Sequence, residues 1–154
     1  MSGMSYDLMV FEPEAAPKDH HAFMEWYFTL TKWNDGPYDD PARTSVRLRG
    51  WVREMQRTFP DMNTPEAEIH LQDDDGVLAD YTIGRQFVYA GFAWSKAIAA
   101  AGEAERLAKL HGVGFFDVSS NGEEAWLPVN GTLKLAHRKK RSFLERLRLT
   151  LRGR

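Results

Sequence analysis

The densest group of chemically active side chains lies between residues 66 and 80. It comprises six acids and one histidine: Glu66, Glu68, His70, Asp73, Asp74, Asp75 and Asp80. Carboxylate and imidazole groups at this density could hold a divalent cation, and in an extended segment Glu66, Glu68 and His70 would point to one side. The spacing matches no EF-hand loop, and charge runs usually form solvated faces. The pattern therefore favours an exposed acidic loop, and a divalent-metal-dependent enzyme using Glu66, Glu68, His70 and Asp74 is the alternative.

The rest of the chain carries no recognisable catalytic motif. The absence of cysteine excludes thiolate nucleophiles, thiolate zinc sites and disulfide frameworks. There is no Gly-x-Ser-x-Gly elbow and no glycine-rich loop followed by Lys and Ser or Thr. We therefore predict no catalytic residue, no metal and no cofactor, and we lean toward a protein that is not an enzyme.

Charge is divided unevenly along the chain. The net charge is −2, yet residues 1–133 carry 11 Lys and Arg against 21 Asp and Glu, whereas residues 134–154 carry nine against the single acid Glu145. This asymmetry predicts an acidic domain over residues 1–133 and a basic amphipathic tail over residues 134–154. Such a tail could bind nucleic acid or an anionic membrane, which we consider the less favoured use of the chain.

The hydrophobic pattern predicts the elements that position these side chains. Residues 6–11 and 113–118 form apolar runs typical of buried strands, and residues 80–84 and 86–92 read as an antiparallel pair. One helix is expected from Pro17 to near Trp33 and another from Ser45, with a core face at Leu48, Trp51, Val52, Met55 and Phe59. Residues 96–111 predict an alanine-rich helix that ends at Gly112. Residues 61–80 are expected to be a long loop with a brief strand at 68–71, and residues 124–127 a last strand.

These elements follow one another in the order βααββαββ. If the first two helices count as one split crossover, the order becomes βαββαβ, the pattern of a ferredoxin-like fold. We therefore predict an α+β domain with a ferredoxin-like antiparallel sheet, helices on one face and a basic helical tail. The first strand and the strand at Val113 are expected at the centre of the sheet, because both are apolar through most of their length.

No stretch of the sequence predicts a signal peptide or a transmembrane helix. The longest apolar run near the start is four residues, Leu8 to Phe11, with acidic flanks. The absence of cysteine fits a reducing compartment. We expect a cytoplasmic protein.

Three stretches carry a resemblance to known proteins. SYDLMVFEP (residues 5–13), DYTIGR (80–85) with FAWS (92–95), and HGVGFFDV (111–118) resemble small standalone bacterial proteins, largely uncharacterised, some of which are similar to immunity proteins of interbacterial toxins. The resemblance rests on strand residues, so it implies a fold and a binding role and carries over no active site.

An immunity protein occludes a toxin and needs no chemistry of its own. An acidic surface would steer a basic partner and supply charge-assisted hydrogen bonds. We therefore predict a non-catalytic module that binds a protein partner, such as a cognate toxin, through an acidic surface. The expected contact residues are Glu66, Glu68, Asp73, Asp74, Asp75, Asp80, Asp39, Asp40, Trp33 and Tyr38.

Overall fold

The computed structural model describes residues 4–73, 75–140 and 150. Within these residues the chain forms one six-stranded sheet and four α-helices. The strands are β1 (Ser5–Phe11), β2 (Ala79–Ile83), β3 (Phe87–Ala93), β4 (Gly114–Phe116), β5 (Ala125–Val129) and β6 (Thr132–His137). The helices are α1 (His20–Leu30), α2 (Val46–Thr58), α3 (Ala67–Asp73) and α4 (Ala97–His111).

The sheet is antiparallel throughout, with strand order β2-β3-β1-β4-β5-β6. This confirms the predicted α+β class and the predicted antiparallel pairing of β2 with β3. It also confirms that β1 and β4 lie at the centre, where strands are covered on both faces and must be apolar on both.

Helices cover both faces of the sheet, so the prediction that they lie on one face is wrong. Leu8 and Val10 of β1 pack with α2 and α4, whereas Met9 and Phe11 point to the opposite face and pack with α1. Successive side chains of a strand point to opposite faces. The unbroken apolar run of β1 thus reflects two buried faces.

Helices α2 and α4 form the larger core. Ser45 caps α2, since its hydroxyl accepts a hydrogen bond from the Leu48 amide at 3.2 Å. The predicted core face of α2 is buried in full, and its Trp51 Nε1 donates to the Ala104 carbonyl of α4 at 3.1 Å. Small buried alanines let α4 approach closely, and Gly112 ends it with a φ of 69°.

The structure corrects two local predictions, the start of the first helix and the conformation of residues 68–71. Helix α1 begins at His20 and not at Pro17, because Asp19 accepts a hydrogen bond from the Ala22 amide at 3.0 Å. The brief strand expected at residues 68–71 is instead helix α3, which begins after a turn in which the Ala67 amide donates to the Thr64 carbonyl.

The expected boundary after residue 133 falls inside β6. Asn130 and Gly131 both have positive φ and form a two-residue hairpin that returns the chain antiparallel to β5. Residues 134–137 therefore belong to the sheet and not to a tail. Of the rest of the expected basic tail, the structure describes residues 138–140 and 150, whereas residues 141–149 and 151–154 lie outside the described residues.

Over the described part of the chain, no helix has both the length and the apolar character needed to cross a bilayer.

Candidate binding groove

An open groove lies on the same face of the sheet as α1, beside that helix. Helix α1 covers the part of this face around Met9 and Phe11. Farther along the sheet, residues of β1, β3 and β2 on the same face are left uncovered and line the groove. The groove encloses about 750 Å³. Its floor is formed by strand side chains, and its rim includes Trp33, Trp94 and Met62, which come from three different connections.

One row of the sheet defines the groove floor. Gly91 of β3 pairs with Asp7 of β1 on one side and with Asp80 of β2 on the other. The three residues therefore share one face, and the Cα atoms of Asp7 and Asp80 lie about 10 Å apart because neighbouring strands are separated by ~4.8 Å. We call this space, with a carboxylate at each side and a glycine between them, the Asp7–Asp80 slot.

Asp7 is held in place by three hydrogen bonds. Its Oδ1 accepts from the Ser5 hydroxyl at 2.9 Å, its Oδ2 accepts from the Tyr89 hydroxyl at 2.6 Å, and its amide donates to Ser119 Oγ at 2.8 Å. Burial, together with the bond to Asp7 and its negative charge, raises the pKa of the Tyr89 phenol. Tyr89 thus stays protonated and keeps the carboxylate oriented over the floor.

Asp80 occupies the other side of the slot and is exposed. Its Oδ1 accepts from Asn63 Nδ2 at 3.0 Å. The pKa of the neighbouring Asp61 is raised, mainly by burial and further by the negative charge of Asp80, while hydrogen bonds from Asn63 oppose the rise. Of the described residues that line the groove, none is Lys, Arg or His. The two carboxylates of the floor therefore share the groove with no cationic side chain among these described lining residues.

Exposed aromatic rings border this acidic floor. Trp33 is 43% exposed and lies stacked on Phe87, with ring centroids 6.3 Å apart, and edge-on to Tyr89 at 5.6 Å. Trp94 is 52% exposed and contacts Tyr6 edge-on at 6.5 Å. Half-exposed tryptophans bordering a cavity are typical of binding surfaces.

The loop that carries Trp33 is anchored by arginines. Arg43 donates to the carbonyls of Pro37 and Asp35, the latter at 3.0 Å, and Arg49 of α2 donates to the Pro41 carbonyl at 3.1 Å. Trp33 itself has a φ of 54°, in the left-handed region that a bulky residue adopts only when its surroundings hold it there. These contacts fix the rim of the groove.

The structure brings three of the ten expected contact residues together. Asp80 and Trp33 line the groove, and Tyr38 packs edge-on against Trp33 with ring centroids 5.8 Å apart. Asp39 and Asp40 are exposed on the adjoining loop, where Asp40 accepts from the Ala42 amide at 2.9 Å.

Of the acids between residues 66 and 75, those whose side chains the structure describes, Glu66, Glu68 and Asp75, do not line the groove. The side chain of Asp73 is not among the described ones. Glu66 and Glu68 are exposed. Asp75 is paired with His70 Nδ1 at 2.9 Å, and this hydrogen bond, helped by the Val77 amide, lowers the pKa of the carboxyl. Helix α3 ends at Asp73, and Asp74 lies outside the described residues.

The extended arrangement needed for the alternative metal site is not formed. Glu68 and His70 lie in α3, and in a helix residues two apart point in widely different directions. Among the described residues, no group of three or more His, Asp or Glu side chains is placed to hold a metal ion.

The sequence reasoning missed the residues that shape the floor. Asp7 interrupts an apolar strand, and Gly91 stands in the middle of another, β3. A glycine inside a strand often marks a site where another group approaches the backbone closely. The position of Gly91 within β3 could therefore be noticed in the sequence. The sequence does not show which residues of the neighbouring strands lie beside it.

A second polar cluster joins the other end of the sheet to α1. His20 Nδ1 and His137 Nδ1 lie 2.8 Å apart, so one of the two nitrogens donates a hydrogen bond to the other, and His20 Nε2 lies 3.1 Å from Glu123 Oε1. Burial and the neighbouring His20 lower the pKa of His137. This cluster fastens β6 to α1.

No family model, curated protein or solved structure matches the chain. The function therefore has to be argued from the groove itself. The groove combines a carboxylate oriented by hydrogen bonds, exposed tryptophans and a floor of paired strands.

Proposed function

We propose that this chain is a non-catalytic module that binds a basic protein partner through the groove and its rim. The observation that carries the proposal is the combination of two carboxylates, Asp7 and Asp80, with the exposed rings of Trp33 and Trp94 around one cavity. Tryptophans supply binding energy when a partner buries them, and carboxylates supply orientation and steering.

The arrangement suits recognition better than catalysis. Asp7 is occupied by two hydroxyl donors, and the Tyr89 phenol, whose pKa is raised, is a poor proton donor at neutral pH. Neither group is poised to exchange a proton with a substrate. An acidic, aromatic and rigid surface favours a partner whose own contact surface is basic.

The strand order supports a ferredoxin-like description of the domain core. We propose that strands β2-β3-β1-β4, with α2 and α4 packed against one face, form the predicted βαββαβ unit. We propose that β5 and β6 extend this unit on one side and that α1 covers its other face. The proposal places the groove on a sheet face next to α1, where loops can vary without disturbing the core.

The resemblance of the strand residues to immunity proteins supports a specific form of this role. In that form the partner is a cognate bacterial toxin, and the protein acts in the cytoplasm by occluding it. A toxin that engages nucleic acid or nucleotides presents the basic surface that the groove would complement.

The test is a co-purification from the native host followed by a toxicity assay. A tagged chain is expected to recover a stoichiometric basic partner. Replacing Trp33 with Ala together with Asp80→Lys should abolish recovery, whereas Glu105→Lys, an exposed charge reversal on α4, should preserve it. The isolated partner is expected to be toxic when expressed alone and harmless with the wild-type chain. Equal recovery with the groove variant would contradict the proposed surface, and a harmless partner would contradict the immunity role.

A further inference from the structure

The Asp7–Asp80 slot has a geometry that points to the chemical group it receives. We propose that it binds the guanidinium of an arginine side chain presented by the protein partner. This inference rests on the proposed function, and it names the group that the groove recognises. Three features of the slot favour a guanidinium: the open floor at Gly91, the free acceptor capacity of both carboxylates, and the aromatic side chains beside them.

The glycine at position 91 keeps the slot open. Its φ lies outside the left-handed region, so no turn demands glycine there, and in a strand interior glycine is less favourable than alanine. A Cβ at this position would lie 3.1 Å from Asp7 Oδ1. The missing side chain thus makes room for the Asp7 carboxylate and leaves the backbone floor accessible between the two acids.

Both carboxylates keep acceptor capacity for an incoming donor. A carboxylate offers about four lone-pair positions. Asp7 uses two of them for Ser5 and Tyr89, and Asp80 uses one for Asn63. Since none of the described lining residues is basic, an incoming cation would not displace an existing ion pair.

The aromatic walls favour a guanidinium over an ammonium ion. A guanidinium is planar, presents five N–H donors in a fork that matches carboxylates, and stacks on aromatic faces. Trp33 and Tyr89 meet edge to face at 5.6 Å next to the floor, so they offer ring surface beside the acids. A cation over such a ring gains a further attraction that an apolar or anionic group would not.

The test uses a small probe and the whole chain. Nuclear magnetic resonance titration follows the indole N–H signals of Trp33 and Trp94 while N-acetyl-arginine-amide is added. The neutral, nearly isosteric N-acetyl-citrulline-amide serves as the matched ligand. We expect the arginine probe to shift the Trp33 signal and to bind at least about tenfold more tightly than the citrulline probe, because one charge-assisted pair contributes on the order of this factor.

Matched variants locate the site. Asp80→Asn should weaken binding of the arginine probe by about tenfold, since its amide can still bond Asn63 but carries no charge. Glu105→Gln removes one exposed charge from α4, on the opposite face, and should leave binding unchanged. Equal binding of the two probes, no response of Trp33, or an unchanged affinity of Asp80→Asn would each overturn the inference.

These outcomes are separable from a failure of the proposed function. If a native partner is captured through the groove but the arginine probe does not bind, the identity of the recognised group is wrong while the binding role stands. If the probe binds as expected and no stoichiometric partner is recovered, the slot is a guanidinium site and the proposed protein-binding role is wrong.

Discussion

Two glycines that both pair with β1 should respond very differently to alanine. At Gly114, an added Cβ would lie 2.4 Å from two ring atoms of Phe11, which is 1% exposed and wedged against Phe23 at 5.3 Å between ring centroids. The Phe11 ring cannot retreat. At Gly91, an added Cβ would lie 3.1 Å from one carboxylate oxygen of half-buried Asp7, a contact that is relieved when the carboxylate moves by a few tenths of an ångström.

The expected difference follows from packing. Overfilling a core costs about 1–3 kcal/mol, and alanine recovers about 0.4–1 kcal/mol by restricting the unfolded chain. Gly114→Ala should therefore lower the free energy of unfolding by about 1–2 kcal/mol, which corresponds to a drop in Tm of roughly 3–6 °C for a chain of this size. Gly91→Ala should remain within about 1 kcal/mol of the wild type.

Urea denaturation, monitored by circular dichroism, gives the free energy of unfolding of both variants under the same conditions. The two variants share the same substitution and the same neighbouring strand, so each is the control for the other. If Gly91→Ala loses as much stability as Gly114→Ala, then Gly91 is a packing residue, and the argument that it serves an open slot is refuted. If Gly114→Ala is neutral, the rigidity assigned to the Phe11 ring is wrong.

The remaining predictions concern the core, the sheet end and the floor. Trp51→Ala should destabilise the protein by about 3–5 kcal/mol in urea denaturation, because Trp51 is fully buried, and a loss below about 1 kcal/mol would contradict this. Folding lowers the pKa of His137, so the unfolded chain binds more protons than the folded chain once the pH falls below about 6.5. Protonation then favours the unfolded chain. Calorimetry should therefore show Tm falling between pH 7.5 and 5.5, and His137→Gln should flatten that fall; an equally steep fall in the variant would exclude His137 as its source. Tyr89→Phe removes the 2.6 Å bond to Asp7 and should cost about 1–2 kcal/mol, an effect that thermal denaturation can measure and that Asp7→Asn should largely share.

The helices of the main core were predictable because their hydrophobic period is local. Leu48, Trp51 and Met55 recur with the helical spacing, and all three are buried against the sheet. Ser45 and Gly112 could be identified as the helix boundaries because capping depends on a few neighbouring residues. The same reasoning missed α3, because its apolar residues Ala67, Ile69 and Leu71 alternate with polar ones, a pattern that favours a strand.

The hairpin before β6 was predictable from the sequence, but the positive charge of the residues after 133 favoured a separate tail. The pair Asn130-Gly131 is the strongest short-range indication of a two-residue hairpin, and both residues have positive φ. Lys134 is the first residue of the predicted basic tail, although it lies in β6. Charged residues occur on edge strands, where they face water and discourage pairing with other chains.

The sequence by itself determined the α+β class, the central position of β1, the core face of α2 and the end of α4 at Gly112, because each depends on a pattern within one segment. Only the tertiary structure decided that α1 covers the opposite face and that Asp7, Gly91 and Asp80 form one row. The register of β1 against β3 sets that row, and these two strands lie more than 70 residues apart in the chain, so no local pattern encodes their pairing.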